Sequence, residues 1–239
     1  MSVKALRSNF DLVIFDCDGV LVDSEVISCR AHAEALTRHG YSITSDQVLA
    51  RFLGVSDREA RLTIENELGR DLPEDFELEV KQATLRFYAG DLRPIPSVGE
   101  AIAAISLPKC VASSGTPEKI EHGLVCAGIY DLLAQNIFCA SQVKRGKPAP
   151  DLFLFAAEQM QVAPERCLVI EDSPAGVTGA RAAGMTVLGF YGGSHCRPGH
   201  DQTLRAAGAI KTFDHMRQLP DLIAQIDQMS GLVAGFSPL

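Results

Sequence analysis

Phe15-Asp16-Cys17-Asp18-Gly19-Val20-Leu21-Val22-Asp23 is the stretch on which the reading of this chain turns. It continues a short apolar run that begins at Leu12. A run of that length bounded by turn residues reads as a strand, and one apolar on both faces belongs inside a parallel sheet. In extended backbone, positions i and i+2 point the same way, so Asp16 and Asp18 aim together and Cys17 faces opposite. Gly19 lets the chain turn sharply. In open parallel sheets ligands bind beyond the carboxyl ends of the strands, which is where both aspartates emerge. Two carboxylates sharing a site repel, so either a cation joins them or one keeps its proton. That asymmetry suits covalent catalysis, one aspartate attacking and the other moving a proton. Taken alone, the stretch reads equally as two turn-forming aspartates after a strand.

Working outward, similar apolar runs recur at Cys110 to Ala112, Ile137 to Cys139, Leu168 to Ile170 and Thr186 to Gly189, with a weaker one near Ala209 to Thr212. Helical periodicity falls between them, at Glu118 to Ala127, Asp151 to Met160, Ala175 to Ala183 and Asp214 to Gln228. Buried strands alternating with helices predict an α/β fold with a doubly wound, Rossmann-like parallel sheet. The stretch after Asp23 differs, being helical with no convincing strand. Val26, Cys29, Ala33 and Leu36 make one apolar stripe, and Phe76, Val80, Ala83 and Phe87 another. Thr44 to Gln47 and Ser56 to Glu59 have the capping-box spacing, Pro73 suits a first helical turn and Gly90 a helix end. Arg93-Pro94-Ile95-Pro96 reads as a stiff return, followed by a helix opened by Ser97 and Glu100. The expected division is a core of residues 1–23 and 94–239, interrupted by an all-helical insert at 24–93.

Composition narrows the function. The chain has 239 residues, 46% hydrophobic, with a formal net charge of -8. Such a surface repels nucleic acid and anionic lipid. The seven cysteines include no C-x-x-C pair and several sit in apolar runs, so they read as reduced, buried small hydrophobes. The first residues lack the apolar region of a signal peptide, and no run reaches the roughly 18 apolar residues of a membrane span. A cytoplasmic protein, monomeric or weakly homo-oligomeric, is expected, with a small molecule for its partner.

Three further segments lie at predicted strand ends. Ser113-Ser114-Gly115-Thr116-Pro117 brings hydroxyls and backbone N–H groups to a helix start, where phosphate oxygens are held well; an ordinary helix cap reads the same. Lys144-Arg145-Gly146-Lys147-Pro148 offers cations, and Lys147 suits phosphate charge as well as it suits a solvated loop. Glu171-Asp172-Ser173-Pro174 follows a buried strand at the edge where Asp16 belongs. Mg²⁺ is usually held by one or two carboxylates plus substrate oxygens and water, so Asp16 and Asp172, supported by Glu171, match its needs.

On these segments the chain resembles the haloacid dehalogenase superfamily, in its branch of phosphatases and phosphomutases with a helical cap. Asp16-Cys-Asp-Gly-Val-Leu-Val-Asp23, Ser113, Lys147-Pro-Ala-Pro-Asp151 and Glu171-Asp-Ser-Pro-Ala-Gly176 match its four motifs in order, over residues 10 to 190. The resemblance implies an aspartyl-phosphate at Asp16, proton transfer by Asp18, and Mg²⁺ on Asp16, the Asp18 backbone carbonyl and Asp172. Ser113 and Lys147 would contact the transferring phosphoryl group, with Ser114 and Gly115 beside them. Gly54 and Arg58, with Arg51, resemble the cap segment that reads the substrate, although a helix cap with solvated arginines fits as well. The implied substrate is a small phosphorylated metabolite of sugar-phosphate or phosphogluconate type. A dehalogenase would leave Asp18 without a task. A phosphosugar mutase is the nearest rival, weakened because Glu25-Val26-Ile27-Ser28 stands where such enzymes carry a histidine, His32 coming one turn later. A non-catalytic binding module is disfavoured by the intact acids. His195, Cys196 and His200 read as scattered surface residues, not a zinc site.

Overall fold

The computed structural model describes residues 8–52, 55 and 57–233. Among them, β1 (Leu12–Phe15), β2 (Lys109–Ser113), β3 (Ile137–Cys139), β4 (Cys167–Glu171), β5 (Thr186–Phe190) and β6 (Lys211–Phe213) form one sheet. Its order is β3-β2-β1-β4-β5-β6, with every neighbouring pair parallel. All four side chains of β1 are buried, and they alternate between two cores. Leu12 and Ile14 pack with α7 (Asp151–Gln159), α8 (Pro174–Ala182) and α9 (His200–Ala207). Val13 and Phe15 pack with α5 (Val98–Ala104), α6 (Pro117–Cys126) and α10 (Leu219–Val233). Each such side chain contributes about 1.5–3 kcal/mol by burial, which is why the run is apolar on both faces.

Strand order reverses between β1 and β4, and there the carboxyl edge of the sheet opens a crevice. The Asp16 N–H donates to the Ile170 carbonyl at 3.0 Å, placing Asp16 next to the end of β4. Two helices start immediately beyond β2 and β4. Thr116 caps α6 by accepting from the Lys119 N–H at 3.4 Å, and Ser173 caps α8 by accepting from the Gly176 N–H at 3.0 Å, each with proline following.

Helices α1 (Glu25–Arg38), α2 (Ser45–Phe52), α3 (Asp57–Leu68) and α4 (Phe76–Asp91) leave the sheet and share a hydrophobic cluster of their own, including Leu36, Leu49, Ile64, Phe76 and Val80. Their two connections to the sheet run side by side. The Asp23 N–H donates to the Arg93 carbonyl at 3.0 Å, the Ile95 N–H to the Leu21 carbonyl at 3.0 Å, and Val22 bridges Pro94 in antiparallel fashion. No described helix is long and apolar enough to cross a membrane.

Several expected boundaries move. The expected helix at Asp214 is instead a short 3₁₀ turn, Met216–Gln218, and α10 begins at Leu219, where Pro220 sits in the first turn. Helix α9 stands where no helix was expected, and β6 starts two residues later than its apolar run. In α1 Ile27 faces inward and Val26 is 38% exposed, so the stripe runs Ile27, Cys29, Ala33, Leu36. Pro73 precedes α4, and Gly90 lies inside it. The Thr44–Gln47 capping box is formed in both directions, at 2.9 and 3.2 Å. Its proposed counterpart begins at Ser56, outside the described residues.

Candidate active site

Asp16 is buried, and its Oδ1 accepts from Lys147 Nζ at 2.6 Å. The same ammonium donates to Glu171 Oε1 at 2.6 Å and stands 5.0 Å from the centroid of the Phe153 ring. The other oxygen of Glu171 accepts from both the backbone N–H and the hydroxyl of Ser173, each at 2.9 Å. Glu171 is thus committed to Lys147 on one side and to the start of α8 on the other. The close fit needs Gly176, since a Cβ there would lie 1.7 Å from Glu171 Oε1. Asp172 Oδ2 lies 3.1 Å from His195 Nε2. Gly19 crosses over this carboxylate with φ +78°, and a Cβ on it would stand 1.8 Å from Asp172 Oδ2. Glycine serves here for close approach as much as for the turn.

Carboxylate oxygens of Asp16, Glu171 and Asp172 lie within 4.8 Å of one another. Burial pushes Asp16 well above the usual carboxylate range, and Lys147 only partly offsets it while Glu171 and Asp172 add to the rise. Burial and the charges of Glu171 and Glu25 likewise push Asp172 up. Burial alone would lower the Lys147 ammonium, but the charges of Asp16 and Glu171 hold it above its ordinary value. Three buried carboxylates against one ammonium leave negative charge uncompensated. All-oxygen donors with that deficit fit a hard divalent cation between Asp16 and Asp172.

Asp18 has different surroundings. Its Oδ1 accepts from Ser24 Oγ at 2.5 Å and Tyr88 OH at 3.3 Å, and lies 3.0 Å from Lys119 Nζ. Burial would raise this carboxyl, yet the Lys119 charge and the bonds from Ser24, Lys119 and Tyr88 outweigh it and hold Asp18 below its usual value. The two aspartates are thus pushed in opposite directions, Asp16 up by burial beside other carboxylates and Asp18 down by the Lys119 charge and its hydrogen bonds. Ser113, buried at the end of β2, accepts from the Gly115 N–H at 3.1 Å. The space beside Gly115 is bounded by Ser113 Oγ and Asp18 Oδ2, so these three adjoin. Ser114 is exposed.

The sheet edge thus gathers Asp16, Asp18, Ser113, Gly115, Lys147, Glu171 and Asp172. It does not gather the arginines. Arg51 is bound within the helical insert to Glu67 and Tyr41, each at 2.6 Å, and Arg58 is exposed on α3. Gly54 lies outside the described residues. Sequence reasoning missed Lys119, Tyr88, Ser24 and His195. Lys119 and Tyr88 reach Asp18 through space from helices whose local pattern gives no hint. His195 was dismissed as a surface residue, and this is corrected: it is 3% exposed, in the loop after β5. That loop is one more carboxyl strand end, the place the strand-edge rule itself indicates. Within the insert, Glu25, Ser28 and His32 join Leu36, Phe52 and Ile64 around a cavity of about 190 Å³, where Ser28 Oγ is buried without a partner among the described residues.

Comparison with known proteins adds the ancestry. A 6-phosphogluconate phosphatase of Escherichia coli (strain K12) is 33% identical over 216 residues, 90% of this chain and 95% of that protein. A phosphorylated carbohydrates phosphatase of Thermotoga maritima is 31% identical over 203 residues, 84% of this chain and 92% of that protein. The crystal structure of a haloacid dehalogenase-like protein from Agrobacterium tumefaciens superposes with a TM-score of 0.81 at 37% identity, covering 91% of this chain and 99% of its own. The family model for haloacid dehalogenase-like hydrolases matches residues 10–184, spanning every strand end that contributes an acid to the site, and the chain belongs to that family.

Proposed function

We propose that this protein is a Mg²⁺-dependent phosphatase that hydrolyses a small phosphorylated metabolite, of sugar-phosphate or phosphogluconate type, through a phosphoryl group carried on Asp16. The observation that carries the reading is the gathering at one sheet edge of Asp16, bound to Lys147 at 2.6 Å, with the carboxylates of Glu171 and Asp172 within 4.8 Å of it and Asp18 two residues along the chain. The names of the relatives support phosphate monoesters and carbohydrate-like substrates.

In the first half-reaction an Asp16 oxygen bonds to phosphorus as the ester P–O bond breaks, and protonated Asp18 gives its proton to the departing alkoxide. In the second, ionised Asp18 takes a proton from water as the water oxygen bonds to phosphorus and Asp16 leaves. Lys119, Ser24 and Tyr88 favour the ionised form of Asp18, the one the second half-reaction starts from. Two of its partners, Ser24 and Tyr88, lie at the start of α1 and on α4, so the helical segment bears directly on its proton affinity. Lys147 and Ser113 are placed to balance phosphoryl charge, and Glu171 to hold Lys147. Asp16 and Asp172 would hold Mg²⁺, which when bound supplies positive charge to the phosphoryl oxygens. Residues 24–93 act as the cap. Glu25, Ser28 and His32 around the cavity supply polar groups suited to sugar hydroxyls.

Phosphate release across a panel of phosphorylated sugars and sugar acids, with Mg²⁺ and with EDTA, tests the reading on wild type and Asp16→Asn. Metal-dependent release that vanishes in the variant is expected, and release retained by Asp16→Asn removes the nucleophile assignment. Silence from every compound, with isomer formation in the presence of a sugar bisphosphate, would replace phosphatase by phosphomutase.

A further inference from the structure

Asp172 stands where its own charge disfavours it. Its carboxylate and those of Asp16 and Glu171 each bring an oxygen within 4.8 Å of the others, while Lys147 bonds to Asp16 and Glu171. Like charges repel, so a carboxylate free to turn about its side-chain bonds would swing away from the other two. Another group has to hold Asp172 toward them.

Two histidines beyond β5 meet it. His195 Nε2 lies 3.1 Å from Asp172 Oδ2, and His200 Nε2, at the start of α9, lies 2.6 Å from the Asp172 backbone carbonyl. A carbonyl oxygen only accepts, so His200 carries a proton on Nε2 and donates it. His195 is buried, and its Nδ1 has no hydrogen-bond partner among the described residues. A proton on that nitrogen would be stranded, and would leave the Nε2 lone pair facing a carboxylate. The proton therefore belongs on Nε2, donating to Asp172 Oδ2. Cys196 Sγ, 3.4 Å from the same nitrogen, is the weaker acceptor.

The His195 ring is itself fixed. It lies between two glycines: a Cβ on Gly19 would stand 2.8 Å from its Cε1, and one on Gly193 would stand 2.7 Å from the same atom. The His200 ring meets it edge to face at 84°, with centroids 5.8 Å apart. Ser194, next in the chain, gives its N–H and hydroxyl to Asp23 Oδ1 at 3.0 and 2.8 Å, and the Asp23 N–H donates to the Arg93 carbonyl. The loop that carries His195 is thus moored to the connection between sheet and cap.

We propose that His195 and His200 are positioning residues for Asp172, holding its side chain and backbone in the direction that a divalent cation needs. One Asp172 oxygen is committed to His195, so the carboxylate cannot rotate freely and its other oxygen keeps a fixed aim. Partners of this kind, one step removed from the metal, set affinity by orienting the ligand. The proposal rests on the reading of Asp172 as a Mg²⁺ ligand.

Mn²⁺, which takes the same oxygen donors as Mg²⁺, serves as the probe, its free fraction read by electron paramagnetic resonance on the full chain without substrate. Wild type should bind Mn²⁺ in competition with Mg²⁺, and Asp172→Asn should lose most of that binding. His195→Leu keeps the bulk of the ring but no donor, and should weaken Mn²⁺ binding about 10–100-fold. His195→Gln returns an N–H near the position of Nε2 and should recover most of the loss, a rescue that a packing role would not give. His200→Ala, at a half-buried position, keeps the test open should His195→Leu not fold, and should cost at least about tenfold. In turnover, the Mg²⁺ concentration for half-maximal rate should rise with the Mn²⁺ dissociation constant. Mn²⁺ bound as tightly in His195→Leu or His200→Ala as in wild type would overturn the proposal, as would equal losses in His195→Leu and His195→Gln. Undiminished binding in Asp172→Asn would instead remove Asp172 as a metal ligand, and this inference with it.

Discussion

Asp16, Glu171 and Asp172 crowd three carboxylates within 4.8 Å of one another, and Lys147 is the ammonium set among them. At an effective dielectric of about 20, two like charges at that separation repel by roughly 3 kcal/mol. Three carboxylates make three such pairs; Lys147, in contact with Asp16 and Glu171, offsets about two and leaves about one uncompensated. A second bound comes from the proton. At pH 7 a carboxyl with an ordinary value near 3.9 cannot cost the fold more than about 4 kcal/mol, because beyond that it takes up a proton. Asp172→Asn keeps an oxygen acceptor for His195 and deletes the charge. In EDTA it is therefore expected to stabilise the protein by about 1–3 kcal/mol, a rise in Tm of roughly 3–10 °C for a chain of this size. In millimolar Mg²⁺ the order reverses, since wild type gains binding energy that the variant has lost. The pH dependence has a definite sign. Asp16 and Asp172 are raised in the folded state, so the native protein binds more protons than the unfolded chain and wild-type stability in EDTA falls as pH rises from about 4 toward their folded values. Asp18, held low, adds stability that is lost only as pH drops through its depressed value, outside that window. Differential scanning calorimetry with and without Mg²⁺ reads all of this. An Asp172→Asn protein that melts below wild type in EDTA, or gains as much from Mg²⁺, refutes the electrostatic account.

Lys119→Met removes the largest force holding Asp18 ionised, so the acidic limb of the kcat profile should move up by about one unit or more; an unmoved limb separates Lys119 from Asp18. Lys147→Met should lower kcat/KM by about 10²–10³, read in steady-state phosphate release, and a loss under about tenfold would confine Lys147 to a structural part. Gly19→Ala puts a Cβ 1.8 Å from Asp172 Oδ2, at a φ that disfavours side chains, so Mg²⁺ activation should need about 10–100-fold more metal. An unaltered Mg²⁺ requirement would show that Asp172 is not positioned by that contact.

The sheet and its acids were readable because they depend on local patterns. Leu12 to Phe15 is apolar on both faces, and Asp16, Glu171 and Asp172 follow buried strands directly, so the strand-end rule places them together. What escaped depends on distance across the fold. Tyr88 reaches Asp18 from a helix far along the chain, and Lys119 lies in the first turn of α6, where a lone lysine signals nothing. Arg51 had the right charge for a substrate contact, but its partners Glu67 and Tyr41 lie on other turns of the insert, and only their packing reveals the pairing. His195 was misjudged because glycine and proline around it suggest an open loop, whereas the ties from Ser194 to Asp23 draw it inward.

The paired connections between sheet and cap have a mechanical consequence. A domain hung from one linker can swivel, shift and twist. Here Leu21 to Asp23 and Arg93 to Ile95 are bonded to each other as a two-stranded ribbon. A ribbon resists stretch and shear and yields chiefly by bending across its width. A helical segment hung this way would have a rocking stroke as its cheapest motion, and that stroke would tilt Tyr88 toward or away from Asp18. Opening the site to solvent and loosening the grip on the proton-carrying aspartate would then be the same movement.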